Sequence, residues 1–168
     1  FPTRRSSDLD CLDAPSSIHN MLTNADMTFG NIKDEDGDEV ELTEGNYSSF
    51  IKSKDRSVRE AAFKRLFGEY KKFDNTLATT LTSSVKSFNF SARVRKYESP
   101  IEASLSPNDI PVSVYENAIK TINDNLSSLH RYVKIKKKLL GLEQMHMYDL
   151  YVPIIEVEKE KISFDEGV

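Results

Sequence analysis

His146, Tyr148 and Asp149 are the polar residues of this sequence best placed to act together. They alternate with Met147 and Leu150, which predicts one shared side of a strand or extended segment. An imidazole, a phenol and a carboxylate on one side can line a cleft. The same pattern fits a face turned to water, and the residues alone leave both readings open.

Metal chemistry finds little support. The histidines are His19, His130 and His146, none lies in H-E-x-x-H, and no two have the i, i+4 spacing of a helical zinc site. The single cysteine, Cys11, cannot build a cysteine-rich zinc site. Asp34-Glu35-Asp36-Gly37-Asp38 is rich in oxygen ligands. An EF-hand loop needs glycine at its sixth position and glutamate at its twelfth. Counted from Asp34, neither requirement is met, and a hairpin turn explains these residues better. No G-x-S-x-G, Walker A or G-x-G-x-x-G occurs. Lys134-Ile135-Lys136-Lys137-Lys138 reads as a solvated helix end, where cations suit the macrodipole, in preference to a phosphate site. His130 reads as a packing or surface histidine.

The composition narrows the classes further. Asp plus Glu number 27 against 23 Lys plus Arg, a formal charge of −4, which argues against a dedicated nucleic-acid binder. One cysteine excludes an internal disulfide and fits a reducing compartment. The apolar runs are far shorter than the roughly 20 residues a membrane-spanning helix needs. The 168 residues suffice for one modest domain or part of a larger one. Residues 1–9, Phe-Pro-Thr-Arg-Arg-Ser-Ser-Asp-Leu, resemble the translation of a sequencing adapter and are expected not to belong to the protein. No apolar stretch follows Arg4 and Arg5, so they do not begin a secretory signal.

The elements that must position these residues are mainly helical. Ile18, Met21 and Leu22 suit a brief helix after Pro15 and Ser16-Ser17. Residues 27–43 alternate apolar and polar about an acidic turn. A three-residue loop, Glu35-Asp36-Gly37, sets Ile32 opposite Val40 and Gly30 opposite Leu42, keeping one apolar face coherent. Tyr47, Phe50 and Ile51 share a face of a short helix. Asp55 is a good N-cap for a long one. Val58, Ala62, Leu66, Tyr70, Phe73, Leu77, Leu81, Val85, Phe88 and Ala92 recur every three or four residues, a sustained stripe. A continuous helix from Arg56 to Lys96 would be about 60 Å long. Its Ser/Thr-rich middle has poor intrinsic propensity, so packing must hold it or it bends there. Such a rod cannot bury its stripe within this chain and expects a larger body. Pro111 opens a further helix carrying Tyr115, Ile119, Ile122, Leu126, Leu129 and Val133 to a Gly141 cap. Tyr, Val and Ile enrichment before Pro153 predicts a short strand near the C-terminal end.

The order of local motifs resembles the oligoendopeptidase F family of zinc metallopeptidases. The early blocks are Ala14-Pro15-Ser16-Ser17, Asn24-Ala25-Asp26 and the stretch Ile32 to Gly37. Gly45-Asn46-Tyr47 and Ser53-Lys54-Asp55-Arg56 follow. Later come Ala92 to Tyr97, Asn108-Asp109-Ile110-Pro111, Leu129-His130-Arg131-Tyr132 and His146-Met147-Tyr148-Asp149-Leu150-Tyr151-Val152-Pro153. Each block is weakly specific; their joint order and spacing are not.

The resemblance implies a mainly α, bilobed, cytoplasmic peptidase whose inter-lobe channel admits oligopeptide substrates. It implies one zinc held by H-E-x-x-H and a downstream glutamate, with the motif's own glutamate as general base. On that basis residues 10–54 end an N-terminal region containing the hairpin, and residues 55–168 begin the peptidase domain and stop before the metal site. No catalytic or metal role is therefore carried to any residue here, and the chain alone is expected to bind no zinc and cleave no peptide. His146, Tyr148 and Asp149 are expected near the channel. A standalone helical interaction module, or a non-catalytic paralogue, is the alternative.

Overall fold

The computed structural model describes residues 10–155; the adapter-like stretch 1–9 and the expected truncated end lie outside the described residues. Seven α-helices and one antiparallel hairpin make up the described residues: α1 (Asp10–Met21), β1 (Asn31–Lys33), β2 (Glu39–Glu41), α2 (Glu44–Phe50), α3 (Arg56–Lys72), α4 (Asp74–Val94), α5 (Pro100–Leu105), α6 (Val112–Asp124) and α7 (Leu126–Leu139). The fold class is mainly α with one hairpin, as the sequence predicts. No described helix is long and apolar enough to cross a membrane.

The hairpin has the expected register, with Ile32 paired to Val40. Leu42 N–H donates to Gly30 O at 2.8 Å, which extends the pairing. Gly37 takes the left-handed conformation, φ 88°, that closes the three-residue loop. Ile32 and Leu42 turn inward and join Leu22, Met27, Phe29, Ala62 and Leu66 in the core. The hairpin therefore packs on the first half of the long stripe, and Arg65 Nε fixes it by donating to Phe29 O at 2.6 Å. Gly30, φ +67°, takes the left-handed backbone that favours glycine, and a Cβ there would also displace the Arg65 guanidinium.

Local chemistry sets the helix starts. Thr43 and Asn46 form a capping box for α2, each side chain accepting from the other's backbone. Asp55 caps α3 by accepting from Ser57 N at 2.8 Å. Ser99, followed by Pro100, caps α5.

Three expectations fail for identifiable reasons. The long rod is two helices, broken at Phe73 (φ −110°, ψ 16°) ahead of the Ser/Thr-rich stretch. The break lets Phe73 pack on the core, and Asp74 suits the start of a new helix. Within α4 Leu81, Val85 and Phe88 are exposed, in keeping with a stripe that this chain cannot bury by itself. α1 rests along α4, with clefts of about 490 and 290 Å³ flanking Ser16 and Ser84 at their meeting line, where Leu77, Leu81 and Phe88 also lie. The helix after Pro111 is likewise two, α6 and α7, jointed at Asn125. The expected strand near Pro153 is a 3₁₀ turn, Met147–Asp149, because Asp149 folds back to cap it.

Candidate functional site

The turn that replaces the strand keeps the three predicted site residues in contact but gives them different exposure. His146 is exposed, Tyr148 is buried, and Asp149 is fully buried. His146 and Tyr148 lie ring against ring, and Asp149 turns away from them. Asp149 points into the protein beneath the first turns of α3. Its Oδ1 accepts from Arg59 Nη2 at 2.9 Å and from Arg56 Nε at 3.2 Å. Its Oδ2 accepts from Arg56 Nη2 at 3.2 Å and from His146 N–H at 3.0 Å. Four donors thus saturate the carboxylate. Arg59 is equally enclosed, and its Nη1 donates to Ser53 O at 2.8 Å and Lys54 O at 2.9 Å. Arg56 is partly open, and its Nη2 also reaches Gln144 O at 3.3 Å.

The Tyr148 ring seals the outer side of this cluster. The His146 imidazole stacks on it at 5.1 Å, and the Arg56 guanidinium lies 5.2 Å from its centroid. Phe63 of α3 packs against it at 5.9 Å. His146 is therefore a polar ring held in place yet open to solvent. Of the three residues it is the one able to meet a ligand at the described surface.

Lys136 adds a second tie. It is buried, and its Nζ donates to Leu150 O at 2.6 Å, so the lysine run is not wholly the solvated helix end expected from sequence. Its aliphatic stem crosses from α7 to the segment after the turn, and its charge finds a carbonyl there. His130, by contrast, is exposed on α7, and His19 lines the larger cleft beside α1.

Electrostatics makes Asp149 a fixed anion. Burial pushes its carboxyl up, but the bonds from Arg56, the His146 backbone and Arg59 outweigh burial and hold it below the usual 3.8. A carboxyl whose folded pKa lies below its unfolded one stabilises the fold fully above the unfolded value. That contribution drains away as pH falls from about 3.8 through the lower folded value. Urea midpoints measured from pH 6 downward are expected to fall less steeply below that point for Asp149→Asn than for the unaltered chain. Parallel curves would remove Asp149 from the acid response.

Sequence reasoning missed Arg56 and Arg59. A signal was present: two arginines in the first turns of a helix oppose its macrodipole and call for a nearby anion. What the sequence did not give was the anion's position, 90 residues away along the chain. Among the described residues no group of three or more His, Cys, Asp or Glu could hold a metal ion. Asp149, with every oxygen engaged by cations and an amide, does not fit a metal either.

Comparison with known proteins gives this arrangement a context. The family model described as Peptidase family M3 matches residues 49–167. Oligopeptidase PepF of Bacillus subtilis (strain 168) is 46% identical over 158 residues, which is 94% of this chain and 24% of that protein. Group B oligopeptidase PepB of Streptococcus agalactiae is 44% identical over 92% of this chain and 26% of its own length. The crystal structure of oligoendopeptidase-F from Enterococcus faecium superposes with a TM-score of 0.86 at 47% identity, covering 88% of this chain and 29% of that one. The chain thus spans about a quarter of the length of the curated relatives it matches.

Proposed function

Because this chain belongs to peptidase family M3, we propose that it is part of a cytoplasmic, zinc-dependent oligoendopeptidase that hydrolyses internal bonds of short peptides. The observation that carries the reading is 46% identity to an oligopeptidase over nearly the whole of this chain. Residues 10–54 then end the region ahead of the peptidase domain, and residues 55–168 open that domain, in keeping with a family match that begins at residue 49.

The described residues do not fit a zinc ion, so no hydrolytic step is assigned to them. We place the metal ligands and the general base in sequence outside this chain. The contribution of this chain is a frame. Arg59 and Asp149 pin the 146–152 segment to α3, and the exposed ring of His146 faces the space where an oligopeptide would pass. The Leu81, Val85 and Phe88 side of α4 is apolar and open, as a wall awaiting the rest of the enzyme would be.

A chimera tests this reading. Replacing the matching quarter of the Bacillus subtilis oligopeptidase by residues 10–168 is expected to retain zinc-dependent cleavage of an internally quenched peptide. The chain alone is expected to show none. A chimera that folds, by circular dichroism and gel filtration, and binds one zinc but cleaves nothing would defeat the assignment.

A further inference from the structure

The tip of the hairpin touches the same cluster through an unusual route. Glu35 lies in the hairpin loop, and one of its carboxylate oxygens accepts from Lys54 N–H at 2.9 Å and from the Ser53 hydroxyl. Lys54 N–H and Ser53 C=O are the two ends of one peptide group. The carbonyl end of that group accepts from Arg59 Nη1 at 2.8 Å. A single peptide dipole is therefore held between a carboxylate at its N–H and a guanidinium at its C=O. Arg59 continues to Asp149, and Asp149 accepts from His146 N–H.

We propose that Glu35 is a positioning residue for the His146–Asp149 turn, acting through the 53–54 peptide group and Arg59. The series alternates anion, peptide, cation, anion, peptide, so each bond polarises the next in the same sense. Arg59 is almost wholly enclosed and cannot relax into water when one neighbour changes. Ser53 reinforces the joint: its hydroxyl serves Glu35 and also accepts from Asp55 N–H at 3.1 Å, which fixes the entry to α3. The bonds from Ser53 and Lys54 hold the Glu35 carboxyl below its usual range, so it is an anion at neutral pH. The hairpin loop thereby helps to set the pose of an exposed imidazole more than 100 residues further along the chain.

The coupling belongs to this chain whatever it does; its bearing on peptide binding rests on the function proposed above. Amide exchange of His146, followed residue by residue by NMR in the full chain, reads the coupling directly. Glu35→Gln keeps an acceptor and removes the charge. It is expected to speed exchange at His146 about twofold, by letting the 53–54 peptide group and the enclosed Arg59 that it holds shift together, since polarisation alone, at about 10–30% per bond, fades over three links. Asp36→Asn, at the exposed tip but outside the series, is expected to leave His146 unchanged. Adding Glu35→Gln to Asp149→Asn is expected to produce no further change at His146. The proposal is overturned if Glu35→Gln alters only Ser53 and Lys54, or if Asp36→Asn moves His146 equally. It is also overturned if the Glu35 effect persists in the Asp149→Asn background. A working chimera with an unresponsive His146 amide would keep the peptidase reading and discard the relay; the reverse result would do the opposite.

Discussion

Arg59→Ala is expected to lower the unfolding free energy by about 3–5 kcal/mol, the usual consequence of leaving one member of a buried ion pair behind. Asp149 is fully enclosed, and Arg59 is its closest cation at 2.9 Å. Without Arg59 the carboxylate keeps only the partly open Arg56 and one amide. The Ser53 and Lys54 carbonyls lose their donor at the same stroke. A domain of this size is held by only about 5–15 kcal/mol, so the variant approaches the edge of folding. Arg56→Ala removes a cation that solvent already screens, and a clearly smaller loss than for Arg59→Ala is expected. Replacing both partners, Arg59→Met with Asp149→Leu, is expected to cost less than Arg59→Ala, because the charge left without its partner, on Arg56, is open to solvent. Urea unfolding of the three variants separates the cases. Equal losses for Arg56→Ala and Arg59→Ala would show that burial does not set the strength of the cluster.

Leu42→Ala is the second large effect, about 2–5 kcal/mol. Leu42 is 1% exposed where the hairpin meets α3, and its removal leaves a hole between Phe29, Ile32 and Ala62 that the two elements cannot easily close. Leu81→Ala deletes the same atoms from a residue 68% exposed. In this chain about 0.5 kcal/mol or less is expected. In the chimera the same change is expected to cost several times more, because the α4 face would then be covered. A Leu81 effect that is equally small in both settings would mean that the face stays open in the complete enzyme.

The short-range parts of the fold were legible in the sequence. Gly37 and the alternation on either side fixed the hairpin register, and Asp55 marked the start of α3, because turn and cap chemistry is decided within a few residues. The stripe from Val58 to Ala92 predicted helix correctly but not continuity, since the gain from seating Phe73 on the core is a tertiary effect. Nor did it show that α1 would be the element to meet α4, beside Leu77, Leu81 and Phe88 of the stripe. The site fared less well. Alternation placed His146, Tyr148 and Asp149 together, yet Asp149 is turned inward by arginines that spacing could not connect to it. Local pattern cannot rank a strand against a turn when the deciding partner is a distant helix.

The Arg59–Asp149 pair also has a meaning in time. The core of Leu22, Met27, Phe29, Ile32, Leu42, Ala62 and Leu66 is drawn from a short early stretch of chain and needs only short loops to close. The ion pair joins residues 90 apart, and closing so long a loop carries a larger entropic charge before any contact repays it. During synthesis the hairpin and α3 can assemble while the later helices are still being made. Arg59 must then wait, its Nη1 already able to reach the Ser53 and Lys54 carbonyls, until residue 149 has been made. Among the ties of α3 described above, the latch is the one that cannot close until the helices from α4 to α7 have been synthesised.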